Sequence, residues 1–285
     1  MPIIGAHVSA AGGLHNCFKN ASDIGAQALQ IFVSSPRAFQ VKVPTEEIVS
    51  QFKQAQKETK LGPVFAHAAY LVNLASADKK TQNAGIQSLV AHLSICETLG
   101  IVGLVFHLGS IAKGGTKEEG IARTAEAMNK VLQKVPGKSF LIMENSSGGG
   151  GKLGNTPEEI GEMFRLANNS RIKVCLDTAH AFAANELGES VTDKTVDSFV
   201  SRCDTSFGWE NVVCIHFNDS KVAAGTFTDR HENIGEGLIG TKGLKAIALH
   251  PKMKNLPLVM EVPGFGDDGS DMENIQRLKN ICGIK

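Results

Sequence analysis

Six times along this sequence a short apolar run ends on an imidazole or a carboxylate. Val64-Phe65-Ala66 leads into His67, Leu104-Val105-Phe106 into His107, and Phe140-Leu141-Ile142-Met143 into Glu144. Val174-Cys175-Leu176 ends on Asp177, Val212-Val213-Cys214-Ile215 on His216, and Leu258-Val259-Met260 on Glu261. Nitrogen and carboxylate-oxygen donors brought to one place hold divalent ions and leave them Lewis-acidic, whereas thiolates quench that acidity and close the shell. Three more residues belong with these six. His180 stands three residues beyond Asp177, and Asp229-Arg230-His231 offers two donors with one residue between them, a spacing suited to clasping an ion from a loop. One strand-end histidine is ordinarily structural, and one Asp-Arg-His turn is ordinarily solvated. Chance placement at six strand ends is a poor account of the whole set.

Convergence of the six requires parallel strands that end at one face. Eight strand candidates occur in order: Ile3–Ser9, Ala28–Ser34, Pro63–His67, Gly103–Gly109, Ser139–Glu144, Ile172–Asp177, Asn211–Asn218 and Pro257–Glu261. They are short and rich in Val, Ile, Leu and Phe, as strands buried on both faces are. Helix signals fall between them. Thr156-Pro157-Glu158-Glu159 combines an N-cap, a proline at the first helical position and a capping-box glutamate. Thr116 and Glu119 repeat the box, with Ile121, Ala125, Met128 and Leu132 on one face beyond it. The run with Ile86, Leu89, Val90, Leu93 and Cys96 stops at Leu99-Gly100, and Ser270–Cys282 supplies a closing helix. Alternating strand and helix gives an α/β chain. Eight units predict a single (β/α)8 TIM barrel spanning residues 1–285, with the metal-type residues at the C-terminal ends of the strands.

Composition bounds the remaining choices. At 285 residues, with 42% hydrophobic and 20% charged residues, the chain has the make-up of a soluble globular enzyme. No apolar run approaches the roughly 20 residues of a membrane span. The opening Met-Pro-Ile-Ile-Gly-Ala-His lacks the basic region and long apolar stretch of a signal peptide. The expected location is cytoplasmic. Cys17, Cys96, Cys175, Cys203, Cys214 and Cys282 form no CxxC pair, which argues against a thiolate site or a disulfide framework. Twenty-nine basic and 29 acidic side chains give a formal net charge of zero, unlike the usual basic nucleic-acid binder. Bound divalent cations would shift that balance at one face, so the count does not exclude a phosphate-rich partner.

Other features carry less. Ser147-Gly148-Gly149-Gly150-Gly151-Lys152 lacks the G-x-x-x-x-G-K-[ST] spacing of a phosphate cradle and reads as a loop after the fifth strand. His15, His92 and His250 fall on helices or loops and read as structural. His7 ends the first strand, where it either supports the site from behind or serves the fold alone.

With the nine residues assembled, the chain resembles endonuclease IV, the abasic-site DNA endonuclease family. The matching segments are Ile4-Gly5-Ala6-His7-Val8-Ser9-Ala10-Ala11-Gly12-Gly13, Leu176-Asp177-Thr178-Ala179-His180-Ala181-Phe182, His216-Phe217-Asn218-Asp219-Ser220-Lys221, and 229–237. They are collinear from the first strand to Glu261, and the last two are the most specific. The resemblance implies a TIM barrel with three zinc ions, for which manganese or iron could substitute. His67 and His107 would hold one ion and share Glu144 as a bridging carboxylate. Asp177, His216 and Glu261 would complete a second position with Glu144, while His180, Asp229 and His231 would hold the third. Glu144 and Glu261 would be the catalytic carboxylates. Arg37 and the pair Tyr70-Leu71 match loops that enter the minor groove of DNA. One departure stands just before that pair, where Ala68-Ala69 replace small, more polar residues.

The implied reaction is hydrolysis of the phosphodiester 5′ to an abasic site in double-stranded DNA by a monomer, leaving a 3′-hydroxyl. Such hydrolysis is slow without a catalyst. Zinc lowers the pKa of bound water from 15.7 toward about 7 and so provides hydroxide at neutral pH. Three divalent ions against four carboxylates leave the site two charges positive, suited to a phosphate. A metal-dependent sugar isomerase on the same barrel is the first rival, although it has no use for the Asp229/His231 clasp. A non-catalytic, metal-dependent DNA-damage binder is the second. Turnover on an abasic duplex separates all three.

Overall fold

In the computed structural model, which describes residues 1–35, 41–111 and 115–284, the strands close on themselves. The barrel strands are β1 (Ile3–His7), β2 (Ala28–Phe32), β3 (Val64–His67), β4 (Gly103–His107), β5 (Phe140–Glu144), β6 (Ile172–Asp177), β7 (Val212–His216) and β10 (Pro257–Met260). All eight are parallel, in the closed order β1-β10-β7-β6-β5-β4-β3-β2. Two short strands, β8 (Asp219–Ser220) and β9 (His231–Glu232), pair antiparallel above the barrel after β7. Helices α1 (Asn16–Ile24), α2 (Glu46–Thr59), α3 (Lys79–Leu99), α4 (Lys117–Lys134), α5 (Pro157–Ala167), α7 (Asp193–Phe207), α8 (Gly240–Leu249) and α9 (Met272–Cys282) form the outer ring. A six-residue helix, α6 (Thr178–Ala183), follows β6 directly. The fold is a TIM barrel.

The barrel interior explains why the chemistry sits where it does. Phe65, Val105, Ile142, Cys175, Cys214 and Val259 form a fully buried cluster, one residue from each of six strands. Side chains alternate across a strand with a period of two. Two residues beyond these six stand His67, His107, Glu144, Asp177, His216 and Glu261. Each therefore emerges on the interior face, one layer above a close-packed apolar plug. Register completes the convergence, since His107 is the partner of Glu144 and Asp177 that of His216. On the remaining two strands, Gly5 and Ala28 are register partners. A Cβ on Gly5 would stand 2.9 Å from the Ala28 carbonyl oxygen, so only glycine allows this approach.

Most strands are shorter than the sequence predicts. β1 stops at His7, β2 at Phe32, β4 at His107 and β7 at His216. Val8, Val33, Leu108 and Phe217, which follow them, are buried, and the N–H groups of Val8 and Phe217 each add one last bond to a neighbouring strand, to the Gln30 and Val259 carbonyls at 2.9 and 2.8 Å. β3, β5 and β7 each begin one residue later than predicted, and β10 ends at Met260, leaving Glu261 just beyond the strand. Ile172–Asp177 is as predicted. The capping box at Thr116/Glu119 is fully formed. At α5 only half of it exists, because Glu159 turns away from the N-cap to accept from Gly154 N–H at 2.8 Å and to pair with Lys117. The last helix begins at Met272 with Asp271 as its N-cap. No helix among the described residues is long and apolar enough to cross a membrane.

If this apolar plug is what supports the layer above, Ile142→Ala should leave a cavity beneath Glu144 and cost about 2–5 kcal/mol. Thermal unfolding of the chelator-treated variant checks it. A midpoint equal to that of wild type would show that the layer does not bear on stability.

Candidate metal centre

Glu144 is the centre of the site. Its Oε2 lies 3.0 Å from His67 Nε2 and 3.1 Å from His107 Nε2, and its Oε1 lies 3.0 Å from His216 Nδ1 and 3.4 Å from His180 Nδ1. One carboxylate thus faces two different sets of donors. Three groups have ligand atoms close enough to hold one ion each: His67-His107-Glu144, Glu144-Asp177-His216-Glu261, and Asp177-His180-His231. Glu144 and Asp177 are each shared by two groups. Asp229 approaches the third, with Oδ2 3.1 Å from His180 Nε2 and Oδ1 3.4 Å from His231 Nε2. Tyr70 and Leu71 are exposed beside the opening, at 58% and 47%. Arg37 lies outside the described residues.

The histidine tautomers test whether these residues suit a cation. A carbonyl oxygen only accepts, so a ring nitrogen facing one must carry the proton. His67 Nδ1–H donates to the Ala68 carbonyl at 2.8 Å, His180 Nδ1–H to Asn145 at 2.9 Å, and His231 Nδ1–H to Glu261 at 3.1 Å. His216 Nε2–H donates to the Gln30 Oε1 amide oxygen at 2.9 Å. In each neutral ring the other nitrogen then aims its lone pair at carboxylate oxygens. That arrangement repels unless a proton or a metal stands between, and it is the outer-shell pattern of metal-binding histidines. His180 Nε2 and His231 Nε2 are buried without any hydrogen bond. Among the described residues, no lysine or arginine pairs with Glu144, Asp177, Asp229 or Glu261. The donor set fits divalent cations with nitrogen and oxygen preference.

Electrostatics agree. Burial alone would raise the Glu144 and Glu261 carboxyls, but His107 and His216 reverse this for Glu144, and His216, His7 and His67 for Glu261, holding both well below the usual range. Burial opposes protonation of His180, yet Asp177, Asp229 and Glu144 push it up to about 10. His67 and His216 are raised in the same way, against burial, by Glu144 and Glu261.

Amides hold the carboxylates in place. Asn145 Nδ2 donates to the Asp177 carbonyl while its Oδ1 accepts from Asp177 N–H, and Asn218 Nδ2 donates to Asp177 Oδ2 at 2.7 Å. Glu261 N–H donates to Asn218 Oδ1 at 2.7 Å, and Gln30 Nε2 donates to Glu261 Oε1 at 2.6 Å. His7 Nδ1 lies 3.1 Å from that same carboxylate oxygen. Asp177 also caps α6, its Oδ1 accepting from His180 N–H at 2.7 Å, which fixes one donor relative to the next. Gln30, Asn145 and Asn218 are not among the residues expected from the sequence to serve the site. Gln30 carried a readable signal, since it is a polar residue in the middle of the strand Ala28-Leu29-Gln30-Ile31-Phe32.

The site opens into a cavity of about 450 Å³ lined by His7, His67, His107, His180, His231 and Glu261, with Tyr70 at its edge. Ala68 and Ala69 are buried, which accounts for their apolar character. The glycine run proves to be a packing surface. A Cβ on Gly148 would stand 2.8 Å from the Phe227 ring, and one on Gly149 2.7 Å from the Phe227 carbonyl oxygen.

The xylose isomerase-like TIM barrel family matches residues 18–281. A probable endonuclease 4 of Thermosipho africanus is 37% identical over 99% of both chains, and one of Aquifex aeolicus is 36% identical over 99% of this chain and 98% of its own. The crystal structure of endonuclease IV from Thermus thermophilus superposes with a TM-score of 0.86 at 30% identity, covering 99% of each chain. The chain belongs to the endonuclease IV family. A D-tagatose 3-epimerase-like protein, with a TM-score of 0.74 at 16% identity, shares the fold. That protein also covers 99% of this chain, so coverage does not separate the two; sequence identity does, and the epimerase-like protein shows the fold alone.

Metal binding to this site should displace protons. Imidazole must be neutral to ligate, and in the metal-free protein His67, His180 and His216 are raised toward the charged form. Adding zinc to chelator-treated protein in unbuffered solution at pH 7 is expected to release on the order of two to three protons. Apparent affinity should rise with pH across the neutral range, because each proton competes with the ion. Binding without proton release would refute the inward-facing imidazole assignment.

Proposed function

We propose that this chain is a DNA-repair endonuclease that hydrolyses the phosphodiester 5′ to abasic sites in double-stranded DNA at a trinuclear zinc centre. It acts as one catalytic domain and as a monomer, and leaves a 3′-hydroxyl. The observation that carries the reading is the sharing of Glu144 and Asp177 among three adjoining donor groups, in a chain similar to endonucleases over its full length. His67, His107 and Glu144 would hold the first ion, Glu144, Asp177, His216 and Glu261 the second, and His180, Asp229 and His231 the third, with Asp177 close to the last as well. Manganese or iron is an alternative occupant.

Zinc held there supplies Lewis acidity toward a phosphodiester and makes water nucleophilic near neutral pH, its pKa falling from 15.7 toward about 7. The protein's own part is positional and electrostatic. Glu144, reaching both ways, fixes the spacing of two donor groups with one rigid carboxylate. Gln30 and His7 orient Glu261, while Asn145 and Asn218 orient Asp177, so neither carboxylate can swing away when substrate enters. Four carboxylates leave a tri-zinc site two charges positive, which attracts a phosphate and favours charge on the attacking and leaving oxygens. Tyr70 and Leu71, exposed beside the cavity, are positioned to fill the gap left when the abasic nucleotide leaves the stack, and Arg37 is a further expected DNA contact.

A nicking assay on an abasic-site duplex, run with metal analysis, tests this. Glu144→Gln should remove nearly all turnover with the barrel intact, because the change deletes a charge shared by two groups. Retention of more than about a tenth of wild-type kcat, a loss under 1.4 kcal/mol, would contradict the role of Glu144. Isomerisation of a free sugar, without nicking, would replace the reading altogether.

The pair Tyr70→Ala and Leu71→Ala should weaken cleavage of duplex while leaving zinc content unchanged. Unstacking costs a few kcal/mol in a duplex and little in single-stranded DNA, so the loss should be smaller on a single-stranded abasic substrate. Equal losses on both substrates would show that the pair does not act on stacked DNA.

A further inference from the structure

Asp219 is the one fully buried carboxylate among the described residues that lies apart from the metal-type cluster, and no lysine, arginine or histidine there pairs with it. Backbone alone meets its charge. Oδ1 accepts from the N–H groups of Ser220 at 2.8 Å, Ile239 at 3.0 Å and Gly240 at 3.2 Å, and Oδ2 accepts from Gly235 and Gly237, both at 3.1 Å. These donors come from three stretches: the first strand of the ribbon, the turn at 235–237, and the N-terminus of α8, where the helix dipole also favours an anion. Gly237 is there because nothing larger fits, since a Cβ would stand 2.5 Å from Asp219 Oδ1.

The chain between these anchors carries Asp229 and His231. Ser220 and His231 are partners in the ribbon, Lys221 N–H donates to the Arg230 carbonyl at 3.0 Å, and Leu238 N–H donates to the Ser220 carbonyl at 2.7 Å. Residues 220–221 therefore fix 230–231 directly, and Asp219 fixes 219–220 against 235–240. Asn274 braces the same loop from α9, accepting from Ile234 N–H at 2.9 Å and donating to Asn233 Oδ1 at 2.9 Å. Asp219 does not line the cavity.

We infer that Asp219 is a positioning residue that sets Asp229 and His231 against His180 and Asp177, so that its loss weakens one metal position and spares the other two. The inference rests on the trinuclear reading above. A carboxylate is required because all five donors are N–H groups. With Asp219→Asn the new side-chain NH2 group would meet N–H groups head-on, leaving at least two of them buried and unpaired.

Stepwise zinc titration of chelator-treated wild type and Asp219→Asn, against a chromophoric chelator, decides the matter. Wild type is expected to take three equivalents. In the variant, two should bind within about threefold of wild type and the third about 10- to 100-fold more weakly, the usual effect of an outer-shell change. Should Asp219→Asn fail to fold, Gly237→Ala presses a methyl group against the same carboxylate oxygen and should give the same selective loss. A purely structural role would weaken all three equivalents together with the thermal midpoint, and that result overturns the inference. So does a variant with all three affinities unchanged. Wild type that binds fewer than three equivalents overturns the trinuclear reading first, and the inference with it.

Discussion

Glu144 stands within 3.4 Å of four imidazoles at a depth where water does not reach it, and the rest of the molecule is arranged around that fact. An isolated buried carboxylate costs several kcal/mol, which only close opposite charge and full hydrogen bonding offset. Here there are four carboxylates, and no guanidinium or ammonium among the described residues pairs with any of them. Positive charge must come from protons on the imidazoles or from ions bound between them. A closed barrel suits such a requirement. It presents donors from six strands to one small volume and places a close-packed plug of side chains directly beneath them. The amide layer of Gln30, Asn145 and Asn218 then removes the freedom that would let the carboxylates move apart. A site held in this way needs positive charge among its donors, which imidazole protons supply and which a divalent ion can take over.

Much of this was legible in the sequence, because period two links burial to position. Strand-end donors and the apolar residues two places before them lie on one interior face, so the same pattern announces both the plug and the layer above it. The pattern misleads at strand ends. Val8, Val33, Leu108 and Phe217 are as buried as strand residues, and Val8 and Phe217 still bond to a neighbouring strand, so apolar character alone does not mark where pairing gives way to packing. Glu159 shows a similar limit. Its position three residues after Thr156 is that of a capping box, yet Lys117 and Gly154 N–H, brought near by the fold, compete successfully for its carboxylate.

Residues that act through other residues were hardest to read. Asn145 and Asn218 follow Glu144 and His216 closely, but asparagine beyond a strand is common in turns, and only the register shows both amides reaching Asp177. Asp219 is harder still. Its five partners are backbone N–H groups up to 21 residues away, and backbone groups leave no mark in a sequence. Glycine is the exception, since its absence of a side chain records close approach. Gly237 marks the Asp219 contact, as Gly148 and Gly149 mark the contact with Phe227.

That last contact bears on how the rim of the site works as a unit. A barrel by itself does not choose a reaction, and the choice is made by what its loops add above the strands. Phe227 holds a left-handed backbone, φ 54°, which a bulky residue adopts only when its surroundings impose it. The imposing contacts are the glycine run after β5 on one side and the Ala183 carbonyl, which accepts from Phe227 N–H at 3.0 Å, on the other. Asp229 lies two residues beyond. Its carboxylate is therefore located from two directions, by Asp219 through the ribbon and by Phe227 through the glycine loop. The glycines that resemble a phosphate cradle in sequence leave room for a neighbouring loop, and through that loop they bear on the most exposed donor of the site.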